Sequence, residues 1–287
     1  MSPILNRAKV HGAGRFADMR GVKRRRLPRL MLNRLVPNAL TLMALCSGLT
    51  AIRLALLDRW QFAIAAVVVA MILDALDGRI ARLMGATSEF GAQLDSLSDV
   101  INFGVTPALI VYIWALNDTG GLGWALALVF VMACALRLAR FNTALGNSDL
   151  PPWASRFFTG VPAPAGAGLA LLPMVLSFEL GSEILGSAAV NGATLILVSA
   201  LMVSKVPTFS AKKIKLHPSF VGLALIGVGA FTAFLVSTPW VTLSLAGLAY
   251  IISIPFAARS FQRLQAATAS AEGLAEPTVA SENDDAM

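Results

Sequence analysis

Hydrophobic residues fall along the chain in eight long blocks that are separated by short polar segments. A helix needs about 20 mostly apolar residues to cross the hydrocarbon core of a bilayer, and the blocks are close to this length. The pattern therefore predicts an all-α, polytopic membrane helix bundle. Its eight predicted spans are residues 36–56, 60–83, 94–116, 122–142, 160–178, 189–206, 219–236 and 239–258.

Basic residues mark alternate ends of these blocks, which predicts their orientation by the positive-inside rule. With the N-terminus inside, the opposite side holds only Arg59, with Arg53 nearby. The sequence thus predicts a multi-pass protein of a bacterial or archaeal cell membrane with both termini in the cytoplasm. The basic residues on the predicted cytoplasmic side, besides the N-terminal arm, are Arg79, Arg82, Arg137, Arg140, Arg156, Lys212, Lys213, Lys215, Arg259 and Arg263.

The composition supports a membrane protein, and it argues against a soluble domain, a nucleic-acid-binding protein and a disulfide-bonded or zinc-binding protein. Charged residues make up 14% of the chain and hydrophobic ones 56%, whereas a soluble domain carries about 25% charged residues. The net charge of +7 comes from the arm and the block ends, so we predict contact with membrane lipids and not with nucleic acid. Cys46 and Cys134 each lie inside an apolar block, which indicates neither a disulfide framework nor a zinc site.

The two termini differ from the blocks between them. Residues 1–34 form a basic arm, predicted to be cytoplasmic, of which Leu27 to Leu35 are expected to lie on the membrane surface. Residues 261–287 form a tail that from Ala266 onward is rich in Ala, Ser, Thr and Glu. Because it has little apolar content to bury, we predict that the tail is disordered.

Four aspartates lie where the second block ends and the third begins: Asp74, Asp77, Asp95 and Asp99. Each costs about 2.5–3.5 kcal/mol at membrane depth, so a purely structural role is a poor explanation. Helical geometry places the first two on one face and the last two on one face of the next helix. The linking loop is short, so both faces can meet in one cleft near the predicted cytoplasmic surface.

Four carboxylates in one cleft need cations between them. At 4 Å and an effective dielectric near 20, each pair repels by about 4 kcal/mol. Oxygen ligands with no nearby His or Cys favour Mg²⁺ or Mn²⁺, and a site with two such ions suits displacement at phosphorus. Gly78 and Gly91 leave room for a ligand near the backbone, and Arg82 can pair with a phosphate oxygen.

The complete pattern is D-x2-D-G-x2-A-R-x8-G-x3-D-x3-D, with every position filled between Asp74 and Asp99. It resembles the signature of the CDP-alcohol phosphotransferase family, whose members transfer a group from a CDP-linked donor and release CMP. The resemblance implies a six-helix core over residues 35–206, two additional transmembrane helices over 207–260, and a homodimer. It implies that Asp74, Asp77, Asp95 and Asp99 bind two metal ions, that Asp99 also acts as the catalytic base, and that Gly78, Ala81, Arg82 and Gly91 bind CDP.

Segments outside the signature resemble the membrane-integral phosphatidylserine synthases of bacteria and archaea. Asn38 and Thr41 open the first span like the nucleotide-facing segment of the family. Asn102 follows Asp99, and Arg137 and Arg140 end the fourth span, where they are candidates for binding the acceptor. The resemblance implies that CDP-diacylglycerol is the donor and L-serine the acceptor.

Three alternatives remain open at this stage. The same chemistry could use another acceptor, such as glycerol 3-phosphate, inositol phosphate or choline. A membrane prenyltransferase would place its aspartate motifs in separate helix pairs, whereas here they lie within one pair. A cation-coupled transporter would explain buried carboxylates but not the fixed spacing of Gly, Ala and Arg.

Overall fold

The computed structural model describes residues 29–144, 157–209 and 221–275, which are mostly helical. The first half contains α1 (Arg29–Ala55), α2 (Trp60–Leu83), α3 (Glu89–Asp99), a π-helical segment (Val100–Val105), α4 (Thr106–Val111), a second π-helical segment (Tyr112–Leu116), a 3₁₀ turn (Asn117–Thr119) and α5 (Gly121–Ala144). The second half contains β1 (Phe157–Thr159), α6 (Ala163–Ala170), α7 (Leu172–Leu180), α8 (Glu183–Gly186), α9 (Ala188–Val203), β2 (Pro207–Phe209), α10 (Val221–Ser237) and α11 (Pro239–Ala275).

Within the described residues, five helical stretches are long and apolar enough to cross a membrane, so the prediction of a multi-pass helical membrane protein is confirmed. Two shorter apolar helices occupy the sixth and seventh predicted blocks. The apolar side chains that face outward fit a lipid environment, because lipid rather than water then covers them. The five stretches are Leu35–Ala55, Glu89–Thr119, Gly121–Thr143, Ala163–Leu180 and Pro239–Gln265, and the shorter helices are Ala188–Val203 and Gly222–Ser237.

The structure bears on two predictions about the ends of the chain. Helix α1 begins at Arg29 and continues through Pro37, so residues 29–34 are helical and continuous with the first span, which begins at Leu35. Helix α11 continues to Ala275, so the prediction of disorder from residue 261 is wrong as far as that residue. Alanine is the best helix former, and extending an existing helix avoids the cost of nucleation. Residues 1–28 and 276–287 lie outside the described part of the chain.

Small residues bring α1 and α2 close together. Ala51 and Ala55 of α1 and Ala63 and Ala70 of α2 are completely buried. Small side chains allow backbones to approach in lipid, where packing rather than water exclusion holds helices together. This close pair fixes the position of the two aspartates at the end of α2.

A short antiparallel ladder corrects the all-α prediction. Strands β1 and β2 pair in the register Phe158 with Thr208. The ladder continues past β1, where the Gly160 amide donates to the Val206 carbonyl over 2.8 Å and the Thr208 hydroxyl donates to the Gly160 carbonyl over 2.9 Å. Strands of three residues are too short to show a period of two in the sequence, which is why the pattern did not predict them.

Two π-helical segments interrupt the third span, and the first of them begins directly after Asp99. Such segments are rare and occur often at functional sites. Here the first one carries Asn102 onto the face of Ser98, whose hydroxyl accepts a hydrogen bond from the Asn102 amide nitrogen over 3.1 Å. Both side chains are buried. A Cβ at Gly48 of α1 would overlap the Asn102 carboxamide oxygen, so this face packs against α1.

Candidate active site

The second half of α2 and the second half of α3 bring three of the four aspartates together. Asp74, Asp95 and Asp99 each offer a carboxylate oxygen, and these oxygens lie within 4.8 Å of one another. Ser88 caps α3 by accepting a hydrogen bond from the Gly91 amide over 3.1 Å, which fixes where the helix starts. Asp95 and Asp99, four residues apart, therefore share the face that meets Asp74.

This group fits a divalent metal. The carboxyl groups of Asp74 and Asp99 contact each other, which two charged carboxylates do only with a proton or a cation between them. Asp99 Oδ1 is buried and has no hydrogen-bond partner in the described part of the chain. A buried oxygen without a partner is costly, and a metal ion would satisfy it. The donors are all carboxylate oxygens, the ligands preferred by Mg²⁺ and Mn²⁺.

Asp77 has a different environment from the other three. It is 3% exposed, and its Oδ2 accepts a hydrogen bond of 2.5 Å from the Thr41 hydroxyl. That hydroxyl also lies 3.1 Å from the Pro37 carbonyl. The structure therefore ties Asp77 to α1 and leaves it outside the group formed by the other three carboxylates, although the charge of Asp74 acts on it.

The residues expected to bind CDP, called the rim below, lie on α1, α2 and α3, the helices that carry or contact the four aspartates. A Cβ on Gly91 would lie 3.1 Å from Asn38 Oδ1, and a Cβ on Gly78 would lie 3.6 Å from Arg82 Nη1. The beginning of α1, the end of α2 and the beginning of α3 thus meet at one place. Ala81 is half-buried and Arg82 is exposed, so the rim combines apolar surface with a cation that solvent can reach.

Of the three candidates for acceptor binding, Arg137 is the one whose charge acts on Asp99. It is 7% exposed, its guanidinium lies 5.4 Å from the centre of the Phe141 ring, and the charge of Asp99 acts on it. Asn102 packs against α1 at Gly48, and its amide nitrogen donates to the Ser98 hydroxyl. The regular helical turn that we assumed for Asn102 does not hold, because the chain is π-helical there.

Arg140 does not point into the group of carboxylates but closes the end of α9. Its guanidinium donates to the carbonyls of Val203, Met202 and Ser204 over 2.8, 3.2 and 3.1 Å. The last carbonyls of a helix have no partners within the helix, and a cation there is favoured by the helix dipole. The guanidinium of Arg140 thus donates to backbone carbonyls of the protein, which supports a structural role for this residue.

We expect Arg140→Ala to destabilise the protein by about 2–3 kcal/mol, because charge-assisted hydrogen bonds to three carbonyls are lost. Thermal unfolding of the purified protein in detergent measures this loss. Arg259→Ala is the matched control, since Arg259 is an exposed arginine of α11, and it should change stability by less than about 0.5 kcal/mol. An unchanged melting temperature with a raised KM for the acceptor would instead support the acceptor-binding role of Arg140.

Tyr250 is a further polar residue near the site that the sequence did not suggest. Its hydroxyl is buried, and it lies within electrostatic range of Arg137. Tyrosine in membrane helices is enriched at the two interfaces. One of only two tyrosines in the chain, in the eighth apolar block, was therefore a signal that could have been used.

Comparisons with known proteins agree with the geometry. Residues 34–209 match the CDP-alcohol phosphatidyltransferase family, and residues 220–255 match a second family described as CDP-alcohol phosphatidyltransferase 2. Since the first match covers more than half of the chain, the protein belongs to the CDP-alcohol phosphatidyltransferase family. The second match covers α10 and most of the apolar part of α11, the two helices expected to lie outside the core.

Three related proteins from different organisms share the same enzyme name. The chain is 38% identical over 231 residues to a protein of Mycobacterium tuberculosis, covering 79% of each chain. It is 38% identical over 194 residues to one of Helicobacter pylori, covering 67% of this chain and 79% of the relative. It is 33% identical over 203 residues to one of Methanocaldococcus jannaschii, covering 70% and 88%. All three are named CDP-diacylglycerol–serine O-phosphatidyltransferase.

Proposed function

We propose that the protein is a phosphatidylserine synthase, a CDP-diacylglycerol–serine O-phosphatidyltransferase. It transfers the phosphatidyl group of CDP-diacylglycerol to the hydroxyl of L-serine and releases CMP. The observation that carries this proposal is the group of Asp74, Asp95 and Asp99, whose carboxylate oxygens lie within 4.8 Å of one another, set within the signature of the family. The names of relatives that match most of the chain support serine as the acceptor.

Each carboxylate has a role in this proposal. Asp74, Asp77, Asp95 and Asp99 hold two ions, Mg²⁺ or Mn²⁺, with Asp77 oriented by Thr41. When bound, the ions neutralise the pyrophosphate and the departing CMP. Asp99 accepts the proton of the serine hydroxyl. As it does so, the serine oxygen forms a bond to the phosphorus that carries diacylglycerol, and the bond between that phosphorus and CMP breaks.

The remaining rim residues bind the nucleotide and set its position. Asn38, Thr41, Gly78, Ala81 and Gly91 shape the pocket for CDP, with little side-chain volume at the two glycines. Arg82, exposed at the rim, pairs with a phosphate oxygen. A preorganised pocket of this kind places the phosphorus next to Asp99, and such positioning supplies much of the rate in phosphoryl transfer.

In the membrane, we propose eight spans with the active site and both termini in the cytoplasm. The core of six spans covers residues 35–206 and two further spans cover residues 207–260, and the protein works as a homodimer. The basic arm of residues 1–34 lies in the cytoplasm, where anionic headgroups attract it. Support comes from the distribution of basic residues and from the five long apolar helices.

The test is CMP release by the purified protein in detergent with CDP-diacylglycerol and a panel of acceptors: serine, glycerol 3-phosphate, inositol phosphate and choline. We expect release with serine alone, and we expect EDTA to abolish it and added Mn²⁺ or Mg²⁺ to restore it. Release driven by another acceptor would keep the family chemistry and reject serine. Release that persists in EDTA would reject the metal site.

A further inference from the structure

Thr41 of α1 contacts both of the helices that carry the aspartates. Its side chain is 4% exposed, and its hydroxyl donates to Asp77 Oδ2 of α2 over 2.5 Å. Its backbone carbonyl accepts a hydrogen bond of 3.4 Å from the hydroxyl of Ser98 in α3. One residue of α1 therefore joins an aspartate of α2 to the residue that precedes Asp99 in α3.

The polar contacts continue along α1 beyond this point. The Asn102 amide nitrogen donates to the Ser98 hydroxyl over 3.1 Å, and the Thr106 hydroxyl donates to the Gly48 carbonyl over 3.4 Å. Gly48 leaves the room that the row needs, because a Cβ there would overlap the Asn102 carboxamide oxygen. The buried row, called the α1 seam below, consists of Thr41, Gly48, Ser98, Asn102 and Thr106.

Helix packing alone does not explain the α1 seam. Small apolar side chains are enough for close packing in lipid, as Ala51 and Ala63 show between α1 and α2. Burying polar groups costs free energy unless each finds a partner. The carboxamide oxygen of Asn102 is buried without a hydrogen-bond partner among the described residues, which adds to that cost. The seam therefore calls for a functional explanation.

The α1 seam fixes the rotation of α3 about its own axis. Successive helical residues lie about 100° apart, so holding Ser98 against α1 sets the direction of Asp99 and of Asp95 one turn earlier. The oxygens that Asp74, Asp95 and Asp99 offer lie within 4.8 Å of one another, and Mg²⁺ requires ligand oxygens at about 2.0–2.1 Å. A rotation of α3 would move two of these oxygens away from the third and weaken metal binding.

We propose that the α1 seam is a positioning network that sets the affinity of the aspartates for divalent metal, with Ser98 and Asn102 as positioning residues. This inference rests on the metal site of the proposed function and gives Asn102 a role other than acceptor binding. Groups that orient metal ligands through hydrogen bonds typically contribute about 10–100-fold to metal affinity. Asn102 acts through Ser98 on the direction of Asp99, and Thr41 acts directly on Asp77.

The test is Ser98→Ala, which removes the hydroxyl at the centre of the α1 seam and adds no volume. We expect the Kd for Mn²⁺ to rise about tenfold. The measurement is a titration of the purified full-length protein in detergent, without substrate, followed by the EPR signal of free Mn²⁺. Ser199→Ala is the matched control, since Ser199 is 4% exposed and its hydroxyl donates to the Leu195 carbonyl within α9 over 2.6 Å. It should bind Mn²⁺ as the wild type does.

Asn102→Ala tests the α1 seam one contact further from the aspartates. We expect weaker Mn²⁺ binding here too, with KM for L-serine within about twofold of wild type once Mn²⁺ is saturating. Asn191→Ala is the control, because Asn191 is also buried and donates to the carbonyls of Leu185 and Ser187 over 2.8 and 2.9 Å. Asn191 lies near the start of α9, whereas Arg140 contacts its end. The control should lower the melting temperature without changing the Kd for Mn²⁺.

The outcomes separate this inference from the proposed function. An unchanged Kd for Mn²⁺ in Ser98→Ala and Asn102→Ala overturns the α1 seam as a positioning network. An equal loss of Mn²⁺ binding in the two controls indicates general loosening of the bundle and also overturns it. A raised KM for serine with an unchanged Kd for Mn²⁺ in Asn102→Ala assigns Asn102 to the acceptor and does the same.

Two results on the wild type complete the test. Wild-type protein that binds no Mn²⁺ rejects the metal site and the α1 seam with it. Wild-type protein that binds Mn²⁺ but releases no CMP with serine rejects the proposed function alone, because the Kd values of the variants still decide whether the seam sets metal affinity.

Discussion

Asp99→Asn is expected to lower CMP release with serine by at least about 1,000-fold, because it removes the proposed general base and a metal ligand at once. The carboxamide has nearly the shape of the carboxyl group, so the packing of α3 is kept. The effect should fall on kcat, since Asp99 acts on the acceptor proton during the reaction. Steady-state CMP release under saturating CDP-diacylglycerol and serine measures it.

Asp99→Asn is expected to lower activity but to raise stability when divalent metal is absent. Without divalent metal, the carboxyl groups of Asp74, Asp95 and Asp99 lie this close only if they take up a proton, whereas a carboxamide in place of Asp99 needs neither a proton nor an ion. We therefore expect Asp99→Asn to melt higher than wild type in EDTA and to gain less from added Mn²⁺. Asp118→Asn, at an exposed position beyond the other end of the third span, is the control and should change neither quantity. A variant that retains more than about a tenth of the activity would remove Asp99 from the mechanism.

Gly160→Ala should prevent the protein from folding stably. Gly160 has a φ of +78°, and a Cβ there would lie 2.6 Å from the Met202 carbonyl oxygen and 2.9 Å from that of Ser204. Both are backbone atoms at the end of α9, so no side chain can move aside. Left-handed backbone with a side chain costs about 1–2 kcal/mol, and with the clash we expect a total above about 4 kcal/mol. Yield of monodisperse protein and its melting temperature measure this.

Two glycine controls separate the causes. Gly181 has a φ of +56° with nothing within 4 Å of an added Cβ, so Gly181→Ala measures backbone strain without a clash. Gly168 lies within α6, also with open space around an added Cβ, and Gly168→Ala should be neutral or stabilise by less than about 1 kcal/mol. If Gly160→Ala were no worse than Gly181→Ala, the close approach of α9 would not hold in solution.

The sequence predicted well those features that depend on residues close together along the chain. Apolar blocks predicted where helices lie, because a membrane span must be apolar over its whole length. The spacing of Asp95 and Asp99 from Asp74 predicted that they meet, because both pairs lie on regular helices joined by a short loop. The sequence did not predict the π-helical segment that carries Asn102, because the apolar pattern does not distinguish it from a regular helix.

Contacts between distant parts of the chain were beyond the reach of the pattern. Arg140 was expected in the acceptor site, and its three acceptor carbonyls lie 62 to 64 residues further along the chain. Asp77 was grouped with the other aspartates by spacing, and its hydrogen bond to Thr41 crosses 36 residues. A helical pattern states which face a residue lies on, but not which of several helix ends will meet that face.

The ladder between β1 and β2 has a consequence for the order of events during synthesis. The hydrogen bond between Gly160 and Thr208 cannot form until Thr208, 48 residues later in the chain, has been synthesised. At about 5–20 residues per second, this takes several seconds. The hydrogen bonds from Arg140 to the carbonyls at the end of α9 form later still, because those carbonyls lie 62 to 64 residues after Arg140. The aspartates of α2 and α3 are synthesised before either event, so the group that fits a divalent metal is complete in the chain before the β1–β2 ladder can form.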